Sequence, residues 1–215
     1  MAESTRDRIL AEATSQLLTK GYPAFTVAAV RDALGLSSGS MFHAFPSKPA
    51  LAAAVYVTGM RDYQRAAVAG LATSDPEDAV RAFIAAHLAW VEDHRDLARF
   101  LFATQPPELA AHAEPELAQH NREFYAALTA CYRALPVAGA LGSGTSDPGG
   151  YPAIHAVALG PAQEYCRQWV RGTVDTPPRT LVPALQQAAI AGLRALGGQP
   201  GILLSGSVEH LPGAE

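Results

Sequence analysis

The sequence has few cysteines and no long apolar run, and both shortages narrow the class of protein. Its 215 residues include only two cysteines, Cys131 and Cys166, which fit a reducing compartment and are too few for a disulfide-stapled domain. No apolar run approaches the roughly 20 residues that a membrane-spanning helix needs, and the N-terminus lacks the apolar segment of a signal peptide. Because 49% of the residues are apolar, the chain can bury a sizeable core. We therefore expect a folded cytoplasmic protein.

Sequence signatures of catalysis are lacking as well. There is no G-x-S-x-G motif, no glycine-rich phosphate loop and no carboxylate pair placed in a clear cleft. His87 with His94, or Glu116 with His120, have helical spacing, but neither pair has a third ligand at a known metal-site spacing. We therefore expect no enzymatic activity, no cofactor and no metal.

Apolar residues recur every three or four positions along the chain, and no useful stretch alternates as a strand does. Capping residues, among them Thr26, Ser37 or Ser38, and Ser47, divide this pattern into helices together with glycine or proline stops. The fold class that follows is all-α, with about nine helices, a loop over residues 136–150 and a tail from residue 197. The predicted helices cover residues 6–20, 27–34, 37–45, 48–71, 76–93, 97–105, 115–135, 151–171 with a kink or break at Gly160-Pro161, and 178–196.

The stretch from Thr26 to Lys48 has the pattern of a helix-turn-helix. Two short helices flank a tight turn in which Gly35 can take a positive φ. The second helix begins with short polar side chains, which allow a close approach to base edges in the DNA major groove. Apolar positions are spaced to pack the two helices on each other and on the first helix: Val30, Leu34, Leu36, Met41 and Phe45.

The charge distribution agrees with an anionic partner at this end of the chain. Residues 1–65 carry seven basic and five acidic residues, whereas the rest carries nine basic and fifteen acidic residues. A slightly basic head on an acidic body suits binding of an anion at the head only.

Two N-terminal segments, TRDRILAEATSQLLTKGYPAFTV and ALGLSSGSMFHAFPSKPAL, resemble the tetracycline-repressor (TetR) family of one-component transcription regulators. A further segment, GPAQEYCRQWVRG at residues 160–172, resembles helix eight of that family. The resemblance implies a three-helix DNA-binding domain over residues 1–46 and a helical ligand-binding and dimerisation domain over residues 47–198. Its helix 47–72 would be the connecting lever, and residues 199–215 would form a flexible tail.

The resemblance also implies which residues meet DNA. It places Thr26 at a phosphate-contacting cap and Lys48 where an ammonium meets the phosphate backbone. Phe42 stands where the family usually has tyrosine, Ala44 replaces a common histidine and Ser38 replaces a frequent lysine, so we expect few phosphate contacts and a modest salt dependence. The predicted DNA-binding residues are Thr26, Ser37, Ser38, Gly39, Ser40, Phe42, His43 and Lys48.

Large apolar side chains with occasional polar tips repeat at helical spacing in the body of the chain, as in a ligand cavity. Plain core packing is the alternative for each of them. No charge cluster marks the pattern, so we expect a small uncharged or weakly polar effector. The predicted effector pocket consists of Tyr56, Met60, Tyr63, Phe83, His87, Trp90, Phe100, Phe124 and Tyr125.

The last two helices carry surplus apolar surface, which predicts a homodimer. The interface residues expected are Leu159, Gln163, Cys166, Trp169, Val170, Leu185, Ala188, Ala189, Gly192, Leu193 and Leu196. These features together predict a ligand-responsive transcriptional repressor that binds palindromic double-stranded operator DNA as a dimer and is released by an apolar effector. The alternatives are a protein-interaction adaptor that has lost sequence-specific DNA reading, and a helical enzyme or carrier in which the helix-turn-helix is only structural.

Overall fold

The computed structural model describes residues 4–135 and 150–197, and over these ranges the all-α prediction is confirmed, with helices and no strand. The predicted loop falls outside the described residues except for its last residue, which begins a helix, and the predicted tail falls outside them except for residue 197. The α-helices are α1 (Thr5–Ala24), α2 (Val27–Leu34), α3 (Ser38–Ala44), α4 (Lys48–Ala69), α5 (Pro76–Asp93), α6 (Arg95–Leu101), α7 (Pro107–Arg133), α8 (Gly150–Arg171) and α9 (Val182–Gly197), with a 3₁₀ turn at Pro178–Leu181.

Side-chain caps fix the starts of the first five helices. At α1 the Ser4 hydroxyl accepts from the Asp7 amide at 3.1 Å, and the Asp7 carboxylate accepts from the Ser4 amide at 3.3 Å. Thr26, Ser37, Ser47 and Asp75 cap α2 to α5 by accepting from the amide three residues on. Each cap stabilises its helix by about 1 kcal/mol.

Two glycines with positive φ separate the N-terminal helices. Gly21 (φ 73°) interrupts the helical backbone of α1, and Gly35 (φ 62°) forms the turn between α2 and α3. Other residues are strained at such angles. The path of the chain into α2 and α3 is therefore set by the glycines.

Several predicted boundaries in the second half were wrong. The seventh helix begins at Pro107 rather than at Pro115, because Pro107 occupies the first turn, where the missing N–H costs nothing. Pro115 lies exposed inside α7, and buried Ala113 and Leu117 on either side hold the helix together. A break at Gly160-Pro161 does not occur, since α8 continues through both residues.

Two further helices have boundaries that differ from the predicted ones by a few residues. The sixth helix covers Arg95–Leu101 rather than residues 97–105, so it begins and ends earlier than its apolar pattern suggested. The last predicted helix begins as a 3₁₀ turn over Pro178–Leu181 before α9 starts at Val182. Helix ends are where local signals are weakest, because the first and last turns lack a full set of backbone hydrogen bonds.

The buried side chains form two hydrophobic cores, and α4 contributes to both. The head core joins α1, α2, α3 and the first half of α4, through residues such as Ile9, Val30 and Met41. The body core joins the second half of α4 with α5 to α9. Leu109, Ala113 and Leu117, at the start of α7, are buried in the head core rather than in the body core. The head is thus packed against both α4 and α7.

Within residues 4–135 and 150–197, every helix is too short or too polar to span a membrane.

Candidate nucleic-acid interface and internal cavity

The α2–turn–α3 unit presents a polar tip, residues 37–40 at the start of α3, on the protein surface. Phe42, on α3, is 56% exposed, although its neighbours Met41 and Phe45 are buried in the head core. The ring of Phe42 is therefore accessible on the surface. The other predicted DNA-binding residues that are exposed are Thr26, Ser37, Ser38, Gly39, Ser40 and His43, and Lys48 is half-buried.

Hydrogen bonds organise the serines at the start of α3. The Ser37 hydroxyl accepts from the Ser40 amide at 3.1 Å and lies 3.0 Å from the Ser40 hydroxyl. The Ser38 hydroxyl accepts from Nη1 of Arg31 at 3.1 Å. The tip is therefore ordered by its own side chains.

Two arginines that the sequence analysis did not assign to the interface support α3. Arg31, on α2, bonds Asp32 at 2.5–2.7 Å in addition to Ser38, so its charge lies beside the start of α3 and is partly balanced. Arg6, on α1, donates to the carbonyl of Ala44 at 3.1 Å and lies 4.3 Å from the ring centroid of Phe45. Arg6 thus fixes the last turn of α3. Sequence spacing gives no signal for this contact, because the two residues are 38 positions apart.

Lys48 is held by the head itself. Its Nζ donates to the carbonyl of Pro23 at 3.2 Å and lies 4.6 Å from the ring centroid of Tyr22. The hydroxyl of Tyr22 donates in turn to Glu108 at 3.3 Å. The ammonium retains further N–H donors, but its direction is set by the end of α1.

A cavity of about 370 Å³ lies in the body, among α4, α5, α7, α8 and Phe102. Its volume is within the range of small-molecule sites. The structure brings six of the nine predicted pocket residues to its wall: Tyr56, Met60, Tyr63, His87, Phe124 and Tyr125.

The other three predicted pocket residues do not line this cavity. Phe83 is buried in the body core. Trp90 is buried in the body core, and its indole N–H donates to Asp62 at 2.9 Å. Phe100 packs edge-on against Tyr56, with ring centroids 6.1 Å apart. For these three the alternative of core packing is the one that the structure supports.

The wall also includes residues that the sequence analysis missed. Leu117, Asn121 and Tyr125 follow one another at four-residue spacing on α7, and a similar row runs along α8. Helical spacing would have predicted these residues if polar as well as apolar side chains had been considered as pocket candidates. The additional lining residues are Gln64, Phe102, Leu117, Asn121, His155, Leu159, Gln163 and Arg167.

A buried pair of polar side chains belongs to this wall. The Tyr63 hydroxyl lies 2.9 Å from Nδ1 of His87, whose side chain is almost fully buried. Burial raises the pKa of Tyr63, and burial, helped by His155 and Arg167, lowers the pKa of His87 to about 4. Both groups are therefore neutral near pH 7. Nε2 of His87 has no hydrogen-bond partner among the described residues.

The other polar groups of the wall include two paired sets. Nε2 of Gln64 donates to Oδ1 of Asn121 at 2.7 Å. The Arg167 guanidinium bonds the Glu164 carboxylate at 2.9–3.0 Å, one turn earlier on α8. The positive charge at the wall is thus balanced within α8.

Most of the predicted dimer-interface residues lie inside the protomer. Gln163 lines the cavity, and Gly192 lies so close to α8 that an added Cβ would be 2.7 Å from Val157. Apolar residues on two sides of one helix cannot be divided by sequence between the core and a partner, so this part of the prediction is corrected. Residues buried within the protomer are Leu159, Cys166, Trp169, Val170, Ala189 and Leu193, whereas Leu185 and Leu196 are half-buried and Ala188 is exposed.

A row of alanines occupies the exposed face of α9 beside α8. Ala184, Ala188, Ala191 and Ala195 are all exposed and recur every three or four residues. Gly192, adjacent to this row, contacts α8 through Val157. The row is therefore a small-residue surface that another helix could approach closely.

The described residues contain neither a cluster of metal ligands nor an activated cysteine. No group of three or more His, Cys, Asp or Glu side chains that could hold a metal occurs in the described part of the chain. Burial raises the pKa of the Cys131 thiol, and burial raises the pKa of the Cys166 thiol to about 12, so neither is activated as a thiolate.

Comparisons with known proteins agree with this geometry. Residues 9–55 match the family model described as bacterial regulatory proteins, tetR family. No relative was found among curated protein sequences.

Several solved structures share the fold. A tetR-family regulatory protein from Rhodococcus RHA1 is 22% identical, with 91% of this chain and 98% of that chain covered and a TM-score of 0.61. The TetR-family regulator PfmR from Thermus thermophilus is 24% identical, with coverages of 87% and 99% and a TM-score of 0.63. The fatty acid degradation regulator FadR from Bacillus halodurans is 16% identical, with coverages of 90% and 99% and a TM-score of 0.67.

Proposed function

Because residues 9–55 place this chain in the tetR family of bacterial regulatory proteins, we propose that it is a ligand-responsive repressor that binds a palindromic operator as a homodimer. Proteins of this family are DNA-binding regulators and not enzymes. DNA binding is assigned to residues 1–46, and effector binding and dimerisation are assigned to residues 47–198, with helix 47–72 as the lever.

DNA reading is assigned to the exposed tip of the second helix of the motif. Ser38, Ser40 and His43 are exposed on α3, where a helix lying in the major groove meets base edges. Phe42 adds an exposed ring that suits a thymine methyl group. Thr26 and Lys48 flank this helix and are assigned to the phosphate backbone.

Dimerisation is assigned to the exposed faces of α8 and α9. The alanine row of α9 (Ala184, Ala188, Ala191 and Ala195) permits close approach of a second copy, and two-fold symmetry then brings the same surface from both copies together. Two heads related in this way read half-sites about 34–36 Å apart, or a multiple of that spacing.

The effector response is assigned to α4, because this helix contributes to both the cavity wall and the head core. Its second half supplies Tyr56, Met60 and Tyr63 to the cavity wall, and its first half supplies Leu51 and Val55 to the head core. A ligand that prefers one position of this helix therefore changes the placement of the head. A hundredfold preference for the released state corresponds to about 2.7 kcal/mol. This double role of α4 is the observation that carries the proposal.

The adaptor alternative is favoured by one observation, the engagement of Lys48 with Pro23 and Tyr22. A lysine that is hydrogen-bonded within the head contributes less to phosphate binding.

Fluorescence anisotropy with two labelled duplexes separates the two functions. One duplex carries the DNA upstream of the chain's own gene, and the other carries the same bases in scrambled order. A regulator binds the first duplex at least about a hundredfold more tightly than the second at the same salt concentration. Equal and weak binding to both duplexes contradicts the regulator and supports the adaptor.

A further inference from the structure

The polar pair in the cavity wall has an unused hydrogen-bonding atom. His87 is 1% exposed, and its Nδ1 is committed to the hydroxyl of Tyr63 at 2.9 Å. Its Nε2 has no partner among the described residues. A buried polar atom without a partner is uncommon in proteins and requires an explanation. Because His87 lines the cavity, a ligand bound there is the candidate partner of this atom.

The chemistry of the pair determines what Nε2 offers. A buried phenol is a better donor than acceptor, so the Tyr63 hydroxyl donates to Nδ1 of His87. The neutral imidazole then carries its proton on Nε2, which becomes a donor. The hydroxyl of Tyr63 therefore selects the tautomer, and the partner required at Nε2 is an acceptor.

The surroundings indicate the rest of the ligand. Aromatic rings of Tyr56, Phe102, Phe124 and Tyr125 border the cavity together with that of Tyr63, which suits a flat apolar body. Arg167, the guanidinium of the wall, is paired with Glu164, which balances its charge. A desolvated carboxylate would therefore have to compete with Glu164 for this guanidinium.

We propose that His87 is the specificity-determining donor of the cavity, and that it selects uncharged aromatic ligands carrying a carbonyl oxygen. The inference rests on the proposed effector site and names the ligand class of that site. Tyr63 is a positioning residue that acts through the tautomer of His87. The hydrogen bond from His87 to the carbonyl oxygen increases the affinity about tenfold, which is the effect of one ordinary hydrogen bond.

The first test uses the unaltered protein and matched probes. Benzophenone and diphenylmethane share two phenyl rings and differ in the carbonyl oxygen, and 4-benzoylbenzoate adds a negative charge. Binding is followed by isothermal titration calorimetry. We expect benzophenone to bind about ten times more tightly than diphenylmethane, and 4-benzoylbenzoate to bind more weakly than benzophenone.

Two variants of similar size test the donor directly. Glutamine places an N–H near the position of Nε2, whereas methionine has a similar length and no donor. His87→Gln keeps the preference for benzophenone over diphenylmethane, and His87→Met loses it. The measured quantity is the ratio of the affinities for benzophenone and diphenylmethane in each variant. A change in the cavity that affects both ligands equally leaves this ratio unchanged.

A spectroscopic measurement remains available if either variant fails to fold. In ¹⁵N-histidine-labelled unaltered protein, Nε2 of His87 gives a protonated, pyrrole-type signal that moves when benzophenone is added and stays in place with diphenylmethane. An unprotonated Nε2 overturns the inference.

The outcomes separate this inference from the effector proposal. Equal binding of benzophenone and diphenylmethane overturns the role of His87 and leaves the cavity as a ligand site. Tighter binding of 4-benzoylbenzoate overturns the requirement for an uncharged ligand. Failure of all three probes to bind counts against the cavity as the effector site and against the inference with it.

Discussion

The hydroxyl of Tyr22 donates to the carboxylate of Glu108 at 3.3 Å, which joins the end of α1 to the start of α7 across 86 positions of sequence. Burial and the nearby Glu108 raise the pKa of Tyr22, so the phenol is protonated and remains a donor. Next to this bond, Leu109 and Ala113 are buried in the head core. The head is therefore attached to the body at α7 as well as at α4. A movement of the head requires that this second contact slide or break.

The α7 contact contributes to stability. Leu109→Ala removes a fully buried side chain from the head core and should lower the free energy of unfolding by about 2–5 kcal/mol. Urea unfolding followed by circular dichroism measures this loss. The exposed Glu114→Ala, on the same helix, is the control and should change stability by about 0.5 kcal/mol or less. Similar stability of both variants would contradict the packing of α7 into the head.

The exposed ring of Phe42 should matter for DNA and not for folding. Phe42→Ala should weaken binding to the upstream duplex by up to about tenfold and leave thermal unfolding nearly unchanged, since the ring is 56% exposed. Tyr125→Ala is the matched control, because Tyr125 is a similarly exposed aromatic residue, 50% exposed, in the body. Without ligand it should bind the duplex as the unaltered protein does. Equal losses in the two variants would contradict a DNA role for Phe42.

The neutral buried His87 should make stability depend on pH. Its pKa is about 4 in the folded protein against 6.5 in the unfolded chain, so the unfolded state binds more protons between these values. The free energy of unfolding is then highest above about pH 6.5 and falls by about 3 kcal/mol as the pH decreases to about 4. His155, whose pKa burial also lowers, contributes in the same direction.

Urea unfolding at intervals between about pH 4 and 7.5 checks this dependence. His87→Met should show a shallower decrease than the unaltered protein, with the remaining slope belonging to His155 and to other groups. A slope unchanged by the substitution would show that His87 does not carry the effect.

The alanine row should be the dimer contact. Ala188→Glu places a charge on the exposed face of α9 and should convert the dimer to a monomer in analytical ultracentrifugation, with weaker operator binding. Ala126→Glu, exposed on α7, is the control and should leave the dimer intact. The protomer itself should stay folded in both variants. A dimer that persists in Ala188→Glu would move the interface elsewhere.

The sequence predicted what local chemistry determines. The caps at Thr26, Ser37 and Ser47 and the glycine turn at Gly35 depend on neighbouring residues only, and the structure has all of them. The family resemblance added the expected order of domains, and residues 9–55 match the model of that family.

The features that the sequence did not predict depend on contacts between distant parts of the chain. Whether Trp90 faces the cavity or Asp62 is decided by packing between helices, and so is the burial of Leu193 inside the protomer rather than at a partner. The early start of α7 was missed because Pro106-Pro107 stops one helix and begins the next, and sequence alone suggested only the stop. The Arg6–Ala44 bond has no local signal at all.

DNase footprinting of the chain on the DNA upstream of its own gene tests whether α3 reads DNA in a symmetric pair. We expect protection of two inverted half-sites whose centres are about 10–10.5 base pairs apart or a multiple of that distance, on one face of the duplex. Ala188→Glu should lose the paired pattern. Protection that is absent, or spread without regard to sequence, would contradict the assignment of α3 as a helix that reads DNA in a symmetric pair.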